Sequence, residues 1–145
     1  MSQALPHRYE VRATASLTGD VTLDSAGLPT LPSAPPSQYG GPGNRWSPET
    51  LLVAAVADCF VLSFRAIAQA SRLAWSDLDC EVAGTLDKID HVTRFTEFEV
   101  RARLRIPADQ NPERAHRIME KAEEACLVTR SLSSKVTLHI EVATS

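Results

Sequence analysis

The chain has 145 residues, enough for one domain with a sizeable core, and its 43% hydrophobic and 23% charged residues give an ordinary soluble globular balance. Its 15 basic and 18 acidic residues leave a net charge of -3, and the absence of a basic stripe argues against a nucleic-acid partner. The most apolar stretch, Leu51 to Phe64, carries Asp58 and reads as a core helix too short to span a bilayer, and MSQALPHRYE lacks an apolar signal core, so a cytoplasmic protein with no membrane partner is expected.

EVRATASL (10–17) alternates and predicts a half-buried strand with Val11, Ala13, Ala15 and Leu17 on one side. TGD and SAG are turn signals leading into VTLD and LPTL. Residues 29–48 hold six of the nine prolines and three of the six glycines, which excludes a continuous helix or a central strand. A long loop is expected there, ordered by Tyr39 and Trp46.

WSPETLL opens a helix: Ser47 is an N-cap, Pro48 fits the first position, and Glu49 complements the positive end of the dipole. The helix should run to about Ser71 and bury Leu52, Ala55, Val56, Cys59, Leu62, Ser63, Ala66 and Ile67, although its opposite face is also mostly apolar. LDCEVAGTL (78–86) and FEVRARLRI (98–106) alternate and should pair as an antiparallel hairpin around DKIDHVTR. Leu78, Cys80, Val82, Gly84 and Leu86 share one side of the first strand. Phe98, Val100, Ala102, Leu104 and Ile106 point inward on the second, and RARLR is part of its exposed face. NPERAHRIMEKAEEAC (111–126) predicts a helix capped by Asn111, with Ala115, Ile118, Met119, Ala122 and Cys126 on one face. VTRSL suggests a helical turn, and KVTLHIEV (135–142) a last strand with His139 facing out. The order predicts a single α+β domain over residues 1–145.

Three widely spaced cysteines, Cys59, Cys80 and Cys126, fit neither a secreted disulfide framework nor a C-x-x-C motif. Each lies on an apolar face, and taken singly each reads as core packing. Taken together, Cys59 and Cys126 offer one thiol from each of two helices. A thiolate can attack a peroxide oxygen, become a sulfenic acid and be captured by a second thiol. Cys80, in mid-strand, is read as structural. Glu49 alone is dipole compensation and Arg45 alone a solvated loop residue. The four histidines show no metal-ligand spacing, and GGPG lacks the Lys-Ser/Thr of a phosphate loop, so no metal or cofactor is expected.

YGGPGNRWSPETLLVAAVADCF resembles the segment of the OsmC/Ohr family that runs from a Gly-rich loop through Ser-Pro-Glu into an Ala-rich helix with Asp-Cys-Phe. KAEEACLVTRSL resembles that family's second cysteine segment, and the resemblance covers nearly the whole chain. It implies antiparallel sheets packed on a long central helix, in an intertwined homodimer that reduces organic hydroperoxides and hydrogen peroxide. Cys59 would be the peroxidatic and Cys126 the resolving cysteine, and Glu49 the carboxylate that fixes a catalytic arginine. A dithiol, such as a lipoylated protein, would restore the disulfide. The family's arginine positions are occupied here by Thr18, Asp20, Gln38 and Tyr39, which leaves Arg45 in a shifted place. The competing expectation is a non-catalytic dimeric module that binds a small apolar molecule, with both cysteines as packing.

Overall fold

The computed structural model describes residues 3–145 and divides them into two compact units, one ending at Leu51 and one beginning at Leu52. The first unit contains β1 (Arg12–Thr14), β2 (Val21–Asp24) and β3 (Leu31–Ser33), an antiparallel sheet in the order β1-β2-β3. Pro32, which cannot donate to a ladder, sits in an edge strand. The predicted strand over 10–17 is shorter than expected and is not half-buried. All three β1 residues are exposed, Val11 at 70% and Leu17 at 100%. Alternation identifies a face to be covered, and among the described residues of this unit that face stays exposed. The proline-rich loop is ordered by a 3₁₀ turn at Ser37–Tyr39 and by a bridge between Ser33 and Trp46.

The long helix, α1 (Pro48–Ala70), starts where Ser47 and Thr50 cap it reciprocally. Ser47 Oγ accepts from the Thr50 N–H at 3.1 Å, and Thr50 Oγ1 accepts from the Ser47 N–H at 2.9 Å. Its buried line is Val56, Phe60, Phe64 and Ala68. This corrects the expected stripe: Leu62 is 50% exposed and Ala66 is also exposed. An all-round apolar helix has no strong periodic contrast, so periodicity could not select the face that meets the sheet. The apolar run is also longer than Leu51–Phe64. By length and composition α1 is sufficient to cross a membrane, with a mean hydropathy of 2.0 over an 18-residue window, only 22% of which is buried.

In the second unit β4 (Asp77–Ile89) and β5 (Val92–Ile106) form the expected hairpin, joined through Asp90 and His91. Both turn residues have positive φ, 50° and 67°, as a two-residue turn between twisted strands demands. Phe98, Val100, Ala102, Leu104 and Ile106 are all buried, and Arg101, Arg103 and Arg105 are exposed beside Glu99, Glu81 and Asp77. Next come α2 (Pro112–Glu124), α3 (Leu127–Arg130) and β6 (Lys135–Thr144). Asn111 caps α2 by accepting from the Glu113 N–H at 2.9 Å. One difference from the expected sheet is that β6 runs parallel to β5, so the order β4-β5-β6 is mixed rather than antiparallel. The intervening α2 and α3 form the crossover that a parallel neighbour needs.

One apolar cluster fills this unit: the buried line of α1, the inward residues of β5, and Ala115, Ile118, Met119 and Ala122 of α2. The α1 helix packs closely over β4 at Gly84, where a Cβ would lie 2.9 Å from Val53 Cγ2 and 3.0 Å from a ring carbon of both Phe95 and Phe98. Arg114 of α2 donates to the Ser71 carbonyl just past the end of α1, which ties the two helices together.

Candidate functional site

Cys59 lies in the middle of α1, one residue before the buried Phe60, and is half-buried. Cys126 lies where the chain leaves α2 and starts α3, and is fully buried. The fold brings these two sequence-distant residues close enough for Cys59 to raise the pKa of Cys126. Burial pushes the Cys126 thiol above its ordinary range. Thr129 opposes this through its side chain and its backbone, and Cys59 adds to it. Cys126 is therefore held as a thiol at neutral pH, and a thiol that donates to the Cys59 sulfur would gain from this arrangement.

Cys80 points inward on β4, packed against the core, as expected of a structural residue. Burial, then Asp79, then Cys126 raise its pKa to about 11. It is close enough to sense the charge of Cys126, but its thiolate is scarce at neutral pH.

Two residues that sequence reasoning passed over complete the surroundings of Cys126. The Thr129 hydroxyl lies 3.2 Å from the Cys126 carbonyl oxygen and 3.4 Å from Glu123 Oε2. The other Glu123 oxygen, Oε1, is buried with no hydrogen-bond partner, and burial raises the pKa of this carboxyl. The signal for Glu123 was its position, one residue after Ala122 and three before Cys126, beside the apolar face of α2. By charge it is one of several glutamates on this helix.

The remaining expected site residues belong to the first unit. Arg45 Nε donates to Asp20 Oδ2 at 2.9 Å, so its guanidinium is paired within the loop and first hairpin. Glu49, in the first turn of α1, has a buried Oε1 without a partner. Arg45 is thus committed to Asp20 rather than to Glu49. Among the described residues, no group of three His, Cys, Asp or Glu side chains could hold a metal ion.

A family profile described as OsmC-like protein matches residues 41–141, a span that includes Arg45, Glu49 and all three cysteines. The chain belongs to the OsmC-like family. It is 27% identical over 125 residues to the Bacillus subtilis protein YmaD, covering 84% of this chain and 83% of that one. It also superimposes on an OsmC-like protein from Vibrio cholerae with a TM-score of 0.86, at 18% identity, covering 93% of this chain and 99% of that one. An organic hydroperoxide resistance protein from Legionella pneumophila matches with a TM-score of 0.74 at 24% identity, covering 97% and 99%. At these identities the solved structures establish a shared α+β fold.

Proposed function

We propose that this OsmC-like protein is a thiol-dependent peroxidase that reduces organic hydroperoxides, with hydrogen peroxide as a second substrate. The observation that carries the reading is the Cys59–Cys126 pair: one half-buried cysteine near enough to one fully buried cysteine to raise its pKa. A peroxide can reach the first, while the second is kept from competing for it. The apolar residues around Cys59 on α1, among them the half-exposed Leu62, suit an organic peroxide better than a fully polar one. The Legionella relative's description as an organic hydroperoxide resistance protein supports the same substrate class.

The chemistry runs in three steps. The Cys59 thiolate attacks one peroxide oxygen, the O–O bond breaks, and the alcohol leaves after taking a proton. Cys59 is then a sulfenic acid. The Cys126 sulfur attacks Cys59 Sγ, a disulfide forms, and the sulfenic oxygen leaves as water. An external dithiol, such as a lipoylated protein, then reduces the disulfide by two thiol exchanges.

Within one chain Glu49 and Cys59 stand ten residues apart on α1, about 15 Å along its axis. We place Glu49 at the partner's Cys59 in a homodimer whose two α1 helices pack antiparallel, which gives two equivalent sites. The buried, partnerless Glu49 oxygen supports a site completed by a cation, and Arg45 is the arginine proposed for it, exchanging Asp20 for Glu49. The exposed apolar residues of α1 and the uncovered β1 strand supply the surface such a dimer needs.

Steady-state peroxide consumption with a dithiol reductant tests this reading. Cys59→Ser should abolish turnover. Cys126→Ser should consume about one peroxide per chain and stop at a sulfenic acid that a dimedone-type reagent traps. Turnover that survives Cys59→Ser would remove the proposed nucleophile and favour a binding module with packing cysteines.

A further inference from the structure

Disulfide formation leaves one proton unaccounted for. Cys126 is buried, its thiol is held above the ordinary range, and it must lose that proton as it attacks Cys59. Its side chain has no solvent exposure. The atoms that are present are the Thr129 hydroxyl and, behind it, the Glu123 carboxylate.

Thr129 Oγ1 has one proton and two measured oxygen neighbours, Glu123 Oε2 at 3.4 Å and the Cys126 carbonyl oxygen at 3.2 Å, and the Thr129 side chain also acts to lower the pKa of the Cys126 thiol. A hydroxyl can donate to only one of these at a time. When it donates to Glu123, its lone pairs are free to accept from the Cys126 S–H. When it donates to Cys126 sulfur, it stabilises the thiolate. The two orientations are the start and the end of a proton transfer. Glu123 Oε1 has no hydrogen-bond partner although it is shielded from solvent, an arrangement that costs stability unless the carboxyl takes up a proton.

We infer that Glu123, acting through the Thr129 hydroxyl, receives the proton that Cys126 loses in attacking the oxidised Cys59. This inference rests on the peroxidase reading. The Cys126 proton passes to Thr129 Oγ1 as the Thr129 proton passes to Glu123 Oε2. The S–S bond forms as the S–O bond of the sulfenic acid breaks. The departing hydroxide takes a proton from solvent and leaves as water, and Glu123 later returns its proton to solvent. Cys59 sulfur is reduced and Cys126 sulfur oxidised, with no further oxidant required. Thr129 and Glu123 are positioning residues that carry a proton; neither touches the peroxide.

The charged groups around this carboxyl are otherwise engaged. His116 pairs with Glu120 one turn earlier on α2, and Arg130 of α3 donates to the Glu124 carbonyl. Burial and Thr129 act on the Glu123 carboxyl, and Cys126 in turn is influenced by Cys59 on α1 and itself influences Cys80 on β4. No ion pair holds Glu123 among the described residues.

The test uses the full chain, reduced, mixed with one equivalent of cumene hydroperoxide, with acid quench, alkylation and mass spectrometry separating sulfenic acid from disulfide over time. Glu123→Gln and Thr129→Val should leave the rate of sulfenic acid formation within twofold of wild type and slow disulfide formation at least tenfold. Thr129→Ser should restore it. In the wild type the disulfide-forming rate should fall as pH drops through the raised Glu123 value. In Glu123→Gln that limb should vanish, leaving only the alkaline rise from direct ionisation of Cys126. Disulfide formation at the wild-type rate and pH profile in Glu123→Gln would overturn the relay. So would equal slowing of both steps in every variant, Thr129→Ser included, which marks a structural role. A wild-type chain that forms no Cys59–Cys126 disulfide would remove the peroxidase reading itself, an outcome visible before any variant is made.

Discussion

Arg45 and Glu49 sit four residues apart, one paired and the other left with a buried, partnerless oxygen. The Arg45–Asp20 pair is roughly 40% exposed on both sides, the kind of surface pair worth at most about 1 kcal/mol. A bidentate contact to a buried carboxylate is stronger, so exchanging Asp20 for Glu49 is an energetically open step once a peroxide and a partner chain close the site. The expected outcome is that Arg45→Ala lowers the second-order rate of Cys59 oxidation at least tenfold while leaving the melting temperature within about 2 °C, a surface substitution's usual effect. Stopped-flow oxidation and a thermal melt check both halves. An unchanged rate would confine Arg45 to its tie with Asp20. Cys80 belongs at the same scale: with its pKa at about 11, it should alkylate far more slowly than Cys59 at neutral pH.

The elements differ in how clearly the chain announces them. β5 was legible residue by residue because one face is packed and the other is a ladder of charges, which makes a strong period-two contrast. α2 was legible for the same reason at the helical period, with Asn111 and Pro112 marking its start. α1 was legible as a helix but not as an oriented one, since Leu62 and Phe60 are equally apolar and only the sheet decides between them. The parallel β6 was hidden because strand direction depends on the crossover, not on local pattern. At the site, Cys59 and Cys126 could be named from motif, whereas the Thr129–Glu123 contact needed the chain reversal after α2. Gly84 illustrates a constraint that only packing reveals. Gly84→Ala would push a Cβ against Val53, Phe95 and Phe98 and should destabilise the protein by about 1–3 kcal/mol. Urea unfolding measures this, and the loss should appear with the cysteines reduced or oxidised.

For the molecule as a whole, the unsatisfied surface is the main physical fact. Only 22% of the most apolar window of α1 is buried, and Tyr9, Val11, Leu17 and Leu28 in the first unit are each more than 60% exposed. A soluble monomer rarely leaves so much apolar surface in contact with water, and a second copy of the chain is the occupant proposed for it. Light scattering should give twice the 15.8 kDa chain mass at all accessible concentrations. Co-refolding Glu49→Ala chains with Cys59→Ser chains should regain part of the activity, because mixed dimers would hold one site with both residues intact. A fully active monomer would contradict the shared-site arrangement.

The central claim is that Cys59 takes the oxygen and Cys126 closes the disulfide. Its most direct test is to treat reduced protein with increasing organic hydroperoxide and map every cysteine by mass spectrometry. The account predicts a Cys59–Cys126 disulfide that saturates at one peroxide per chain, with Cys80 still free. A Cys59–Cys80 bridge, or three thiols that survive excess peroxide, would contradict it.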